Sequence, residues 1–142
     1  MNPNTPTSSS EGGARIQGDV RDASGPGPQL MTADTLEGDK VMNLADDTLG
    51  EISDIMLDVS RGRIAYAVMK SGGFLGMGAK MFAIPWSALT LDTERHCFVL
   101  DADKQTFADA PGFDKDRWPD SASDPTFHSD LHRRFHAPEY WQ

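Results

Sequence analysis

The chain has one cysteine, Cys97, few basic residues and no long apolar run. A single thiol permits no internal disulfide and no cysteine-based zinc cage. It suits a reducing compartment, and a cytoplasmic location is expected. No stretch approaches the roughly 20 apolar residues that span a bilayer, and the N-terminus lacks the basic-then-apolar order of a secretory signal. Direct membrane insertion is therefore not expected. Lysine and arginine total 13 against 22 acidic residues, a formal charge of −9. Proteins hold nucleic acids largely through cations placed on phosphates, so this balance argues against a nucleic-acid partner. Catalytic signatures are missing too. Neither Gly-x-Ser-x-Gly nor His-Glu-x-x-His occurs, and the four histidines have no evident triad partner. No cofactor is implied and no enzymatic activity is expected.

What is present falls into three parts within 142 residues, enough for one domain with a modest core. Residues 1–28 are rich in Ser, Pro, Gly, Asn and Thr, with Ile16 and Val20 as the large apolar residues. Such a segment buries too little surface to offset the entropy of ordering, and is read as a disordered arm. Residues 29–103 alternate short apolar runs with turn residues, the pattern of a small all-β domain. Strands are expected at Lys40–Asn43, Gly50–Val59, Ile64–Lys70, Lys80–Ile84, Thr90–Asp92 and Cys97–Leu100, with a tight hairpin at Arg61-Gly62. In Gly50–Val59 the alternation puts Ile55, Leu57 and Val59 on a core face and Asp54 and Asp58 on a solvent face. Ile64–Met69 is apolar on both faces, as in a central strand or one covered by a partner. Residues 104–142 hold seven of the twelve aromatics, so this extension is expected to pack as short helices. Asp103 is placed to cap the first, which Ala110-Pro111 closes. Phe113 and Trp118 have staple spacing around an Asp114 cap. Asp124-Pro125 opens a third, whose stripe is Phe127, Leu131 and Phe135 and whose stop is Pro138.

Between two strand-like runs lie four glycines in seven residues, Gly72 to Gly78, a loop able to use conformations closed to other residues. No helix start follows it and the Gly-x-Gly-x-x-Gly order is absent, so a shaped β connection is expected rather than a phosphate loop. Gly73-Phe74-Leu75-Gly76 is followed by Phe82-Ala83-Ile84-Pro85-Trp86. Before it stand Gly38, Val41 and Asn43, then Leu49, Gly50, Ile52 and Asp54, then Gly62 to Val68. Together these segments resemble the PRC-barrel family, over about Leu30 to Asp103 and on into Ala110 to Lys115. That resemblance implies a small, mainly β barrel of the kind that docks into larger assemblies, and is nearly silent on function. One departure, Asp46-Asp47 in place of the usual Gly-Glu, touches a turn that Asp tolerates well.

The sharpest chemical candidate is His128, His132 and His136. On a helix, residues four apart stack, so three imidazoles could form a ladder for a divalent metal. His136, close to Pro138, weakens the ladder, and no carboxylate or cysteine completes a cage; structural histidines, or a contact that responds to pH, are the milder readings. Asp101-x-Asp103-x-Gln105 fails as a calcium loop because Thr106 and Gly112 stand where Gly and Glu are required. Cys97 sits in an apolar run, where a thiol is inert packing.

Tyr66, Phe74, Leu75, Met77, Met81 and Trp86 exceed what so small a core encloses. Two destinations are open. Phe74, Leu75 and Met77 form an exposed patch for a partner, or the aromatic extension covers these residues within the same chain. The expected function is a non-enzymatic protein-interaction module that self-associates, with a dimer favoured. The alternative is a small-ligand or divalent-metal sensor using the C-terminal histidines.

Overall fold

Two long antiparallel strands, β3 (Thr48–Asp58) and β4 (Arg63–Gly72), form the spine of the molecule in a computed structural model that describes residues 13–18, 30–72, 79–109, 112–113, 118–119 and 126–141. Around them stand β1 (Arg15–Gln17), β2 (Lys40–Met42), β5 (Ala79–Ile84), β6 (Leu89–Asp92) and β7 (Cys97–Leu100), in one sheet of order β1-β6-β7-β2-β3-β4-β5. Three short α-helices, α1 (Ala33–Leu36), α2 (Lys104–Asp109) and α3 (Phe127–Arg134), complete the described elements, with a single 3-10 turn at Trp86–Ala88. The mainly β class and all six expected strands are borne out. No described helix is long and apolar enough to cross a membrane.

Three strands separate β5 from β7, so in a flat sheet about 19 Å would lie between them at ~4.8 Å per strand. Instead Trp86, just after β5, meets Phe98 of β7 with ring centroids 5.7 Å apart. The sheet is therefore rolled around one core, in which Val41, Ile52, Met69, Ile84, Leu89 and Phe98 are fully buried. Among the described residues β1 and β5 remain its two edges and do not pair with each other. Phe113 covers β5 by exchanging two backbone hydrogen bonds with Met81, of 2.9 and 2.8 Å, which blunts an otherwise open edge.

Several motif residues have local causes. Asn43 is buried, and its Oδ1 accepts from the amides of Ala45 and Asp47, each at 2.9 Å, closing the β2–β3 turn. Asp46 takes the left-handed conformation there (φ 64°) and pairs with Arg95 at 2.9 Å. A Cβ at Gly50 would lie 2.5 Å from the Lys70 carbonyl oxygen, so the close approach of β3 and β4 requires glycine.

The face assignment in β3 is corrected. Leu57 and Val59 do not enter the core; they are 62% and 86% exposed. The pairing shifts between Ile52 and Asp54 and again between Met56 and Leu57. The first shift leaves Ser53 as an extra residue in β3 and the second leaves Ala65 as one in β4. Leu57 therefore stays on the face of Ile55 but at the exposed hairpin end, while Asp58 is half-buried against the Tyr140 hydroxyl. The arm is refined as well. Within it Arg15–Gln17 pairs in parallel with β6, and the Gln17 carbonyl accepts from Thr93 N at 3.0 Å and Thr93 Oγ1 at 3.2 Å. Three residues with one apolar side chain carry no period to read.

β4 is covered twice. Ala67 and Met69 face the rolled core, while Tyr66 and Val68 on the other side, with Ala83 of β5, pack under Leu131 of α3 and Tyr140. The covering partner is the chain's own extension. Asp103 caps α2 as expected, accepting from Thr106 N at 3.0 Å, and α2 sends Phe107 into the rolled core. Leu131 of the expected stripe is buried, with Phe127 and Phe135 half-buried beside it. Asp114, Asp124 and Pro125 lie outside the described residues, although the Phe113 and Trp118 rings do meet at 5.3 Å. Truncating Leu131 to Ala is expected to cost roughly 2–5 kcal/mol in denaturant unfolding. The same truncation at exposed Leu57 should stay within about 0.5 kcal/mol. Equal effects would contradict the double coverage of β4.

Candidate functional site

The turn joining β3 to β4 is organised by one carboxylate. Gly62 adopts φ 65° and its amide donates to the Asp58 carbonyl at 2.9 Å, a conformation open to glycine without strain. The Asp58 side chain accepts from Arg61 N at 3.3 Å, Arg61 Nη1 at 3.0 Å and Tyr140 Oη at 2.7 Å. The last bond joins residues 82 apart in sequence and ties the end of the extension to the hairpin. Arg63 adds to it, with its guanidinium 5.8 Å from the Tyr140 ring centroid and Nη1 donating to the Tyr140 carbonyl at 3.5 Å.

Hairpin, α3 and tail enclose a cleft of about 630 Å³. Tyr66, His128 and Trp141 form its aromatic walls, Asp58 and Arg61 its charged side, and Leu57, Val59 and Trp118 its rim. The rim is the exposed apolar part, with Trp118 38% accessible beside the two aliphatic residues.

Its titratable groups are shifted for identifiable reasons. The hydrogen bond from Tyr140 holds the Asp58 carboxyl below its ordinary 3.8, with Arg61 adding to the effect. Burial, then the carboxylate next to it, pushes Tyr140 up to about 12. Burial alone raises Tyr66. Burial also lowers His128 and His132, the former further by the neighbouring imidazole.

Of the sequence candidates, His128 and His132 come together and His136 does not join them. His132 is 2% exposed and its Nδ1–H donates to the His128 carbonyl at 2.8 Å. His136 lies past the end of α3 at φ 54° and is exposed. The three-rung ladder fails because the helix stops at Arg134, and no group of three or more His, Cys, Asp or Glu among the described residues is placed to hold a metal ion. Phe74, Leu75 and Met77 lie outside the described residues. Cys97 is buried and its thiol is raised by burial, as expected of packing. Sequence reasoning missed the Asp58–Tyr140 bond and the exposure of Leu57 and Val59. Their causes, a hairpin end that stands clear of the core and a contact between residues 82 apart, leave no local signal.

Among the described residues the buried Nδ1 of His128 has no hydrogen-bond partner. Replacing Tyr140 by Phe is expected to lower stability by about 1.5–3 kcal/mol near neutral pH, as for a bond to a charged acceptor. Asp58 contributes this above about pH 4, and the difference should vanish as pH falls through its lowered folded value. At the other end it should fade as pH rises from about 10 toward the Tyr140 value. Unfolding followed across pH checks both limbs; a difference independent of pH would refute the bond.

Six chains of solved structures match this one. One, described as a 16S ribosomal RNA processing protein, RimM, of Pseudomonas aeruginosa, is 20% identical with a TM-score of 0.36. The match covers 52% of this chain and 44% of that one, so this chain spans less than half of its length. No curated protein matches in sequence. The description of the PRC-barrel domain matches residues 28–107, from before α1 to Phe107 of α2. With its motif residues closing the turns and the β3–β4 contact described above, the chain belongs to the PRC-barrel family.

Proposed function

We propose that this protein is a non-enzymatic interaction module that self-associates through the hairpin face. The observation that carries the reading is the exposure of Leu57 and Val59 on a projecting turn beside an aromatic-walled cleft. Large apolar side chains grouped at a rim mark a contact surface rather than ordinary solvent-facing residues. Tip and cleft share one face, so a twofold axis places each tip against the cleft of its mate, and one patch serves both sides. The arrangement supports a dimer.

The same reading accommodates the charge. A chain of −9 gives phosphate backbones little to hold, whereas a locally apolar rim escapes the mutual repulsion of two acidic bodies. A second reading, a small-ligand sensor, is supported by a cleft volume within the roughly 300–1,000 Å³ of ligand pockets. Its metal version loses support with His136 set apart. Sedimentation velocity from micromolar to millimolar concentration separates the readings. A concentration-dependent dimer is expected, weakened about tenfold or more by Leu57→Ser with Val59→Ser. A monomer throughout, or a variant that dimerises equally well, would overturn the proposal.

A further inference from the structure

Two imidazoles one turn apart on α3 carry the aromatic end of the tail. The Trp141 ring makes T-shaped contacts with both, 6.0 Å from His128 and 4.9 Å from His132, and Tyr140 lies 6.1 Å from His132 and 5.0 Å from Trp141. His128 also packs on Tyr66, at 5.9 Å. We infer that His128 and His132 form a proton-operated latch, in which proton uptake by either imidazole releases Tyr140 and Trp141 from α3 and β4.

The geometry gives each imidazole a reason to stay neutral while the tail is docked. His132 is shut in at 2% exposure, so a second proton would place a full charge in an apolar enclosure; this burial outweighs the Nδ1–H bond to the His128 carbonyl, which favours the cation. The buried Nδ1 of His128 has no hydrogen-bond partner among the described residues. Left unprotonated, that atom is an idle acceptor; protonated, it becomes a buried donor with nothing to receive it. Charging both would also set two cations one helical turn apart.

Other charged groups face the pair. Asp58 and Glu139 favour the cations, while Arg61 opposes charging of His128. Asp58, however, is already engaged by Tyr140 and Arg61. Tyr66 and Tyr140 are pushed up, so they stay neutral where imidazoles titrate. Burial is the largest influence on both histidines and lowers both below 6.5. The sign follows. The freed tail leaves the imidazoles in water, where they take up protons below about pH 6.5, whereas the docked pair resists until a lower pH. Docking is therefore complete above that point and is lost as pH falls through the docked value.

The latch stands whether or not the hairpin face binds a second copy. Its test is an NMR titration of the full chain from about pH 7.5 to about pH 5, reading the imidazole carbon-bound protons together with hydrogen exchange at Ala137. That amide donates to the His132 carbonyl at 2.8 Å and reports the tail joint. Both imidazoles should titrate below 6.5. After correction for intrinsic rates, exchange at Ala137 should rise about tenfold per pH unit for each histidine in that window, while β4 amides keep their protection. His128→Asn with His132→Gln should flatten the response. Titration at or above 6.5, as expected if the Trp141 face attracts the cations, would overturn the latch. So would unchanged protection at Ala137 in the wild type, or a variant that keeps the full pH response.

Discussion

A strand that is apolar on both sides has to be covered on both sides, and β4 sets that requirement for the whole molecule. Its inner residues, Ala67 and Met69, draw the other strands into a roll around one core. Its outer residues, Tyr66 and Val68, leave a hydrophobic strip that water would otherwise meet. Leu131 of α3 and the tail answer that demand, and the charged end of the cover is fastened where Tyr140 donates to Asp58. The hydrogen bond is short, partly buried and charge-assisted, the kind that fixes a geometry as well as contributing energy. Seen this way, the aromatic extension is a structural part of the domain.

Covering β4 internally also decides what is left for a partner. Part of the apolar surplus in the sequence is consumed inside the chain: Tyr66 and Met81 beneath the extension, Trp86 against the core. At the hairpin end of β3 a new surplus reaches the surface, because Leu57 and Val59 stand in solvent while Asp58 lies against Tyr140. The same hairpin end therefore carries the tail anchor and the exposed rim. Family membership fixes the architecture on which this happens.

Much of this was legible in the residues. Six strands, the Arg61-Gly62 turn, the Asp103 cap and the stripe through Leu131 follow from alternation, turn chemistry and helical period, because each is a local property. The family could be read from glycines and an asparagine whose positions answer to backbone geometry: Gly50 at a close approach, Asn43 closing a turn. An inward assignment of Leu57 and Val59 follows from alternation, which names a face but not how far along the strand the core reaches. The third rung of the histidine ladder, weakened in the sequence by Pro138, is lost where the backbone turns left-handed at His136. Tyr140 could not be paired with Asp58 from sequence, since nothing local distinguishes that tyrosine from its neighbours.

The central claim is that the hairpin rim, rather than the covered face of β4, meets another copy of the chain. Nitrogen-15 spectra recorded over a dilution series test it residue by residue. The account predicts concentration-dependent shifts at Met56 to Arg61 and at the Trp118 indole, with the Val68 and Leu131 signals unchanged. Spectra that superimpose at every concentration, or shifts confined to residues 73–78, would contradict it.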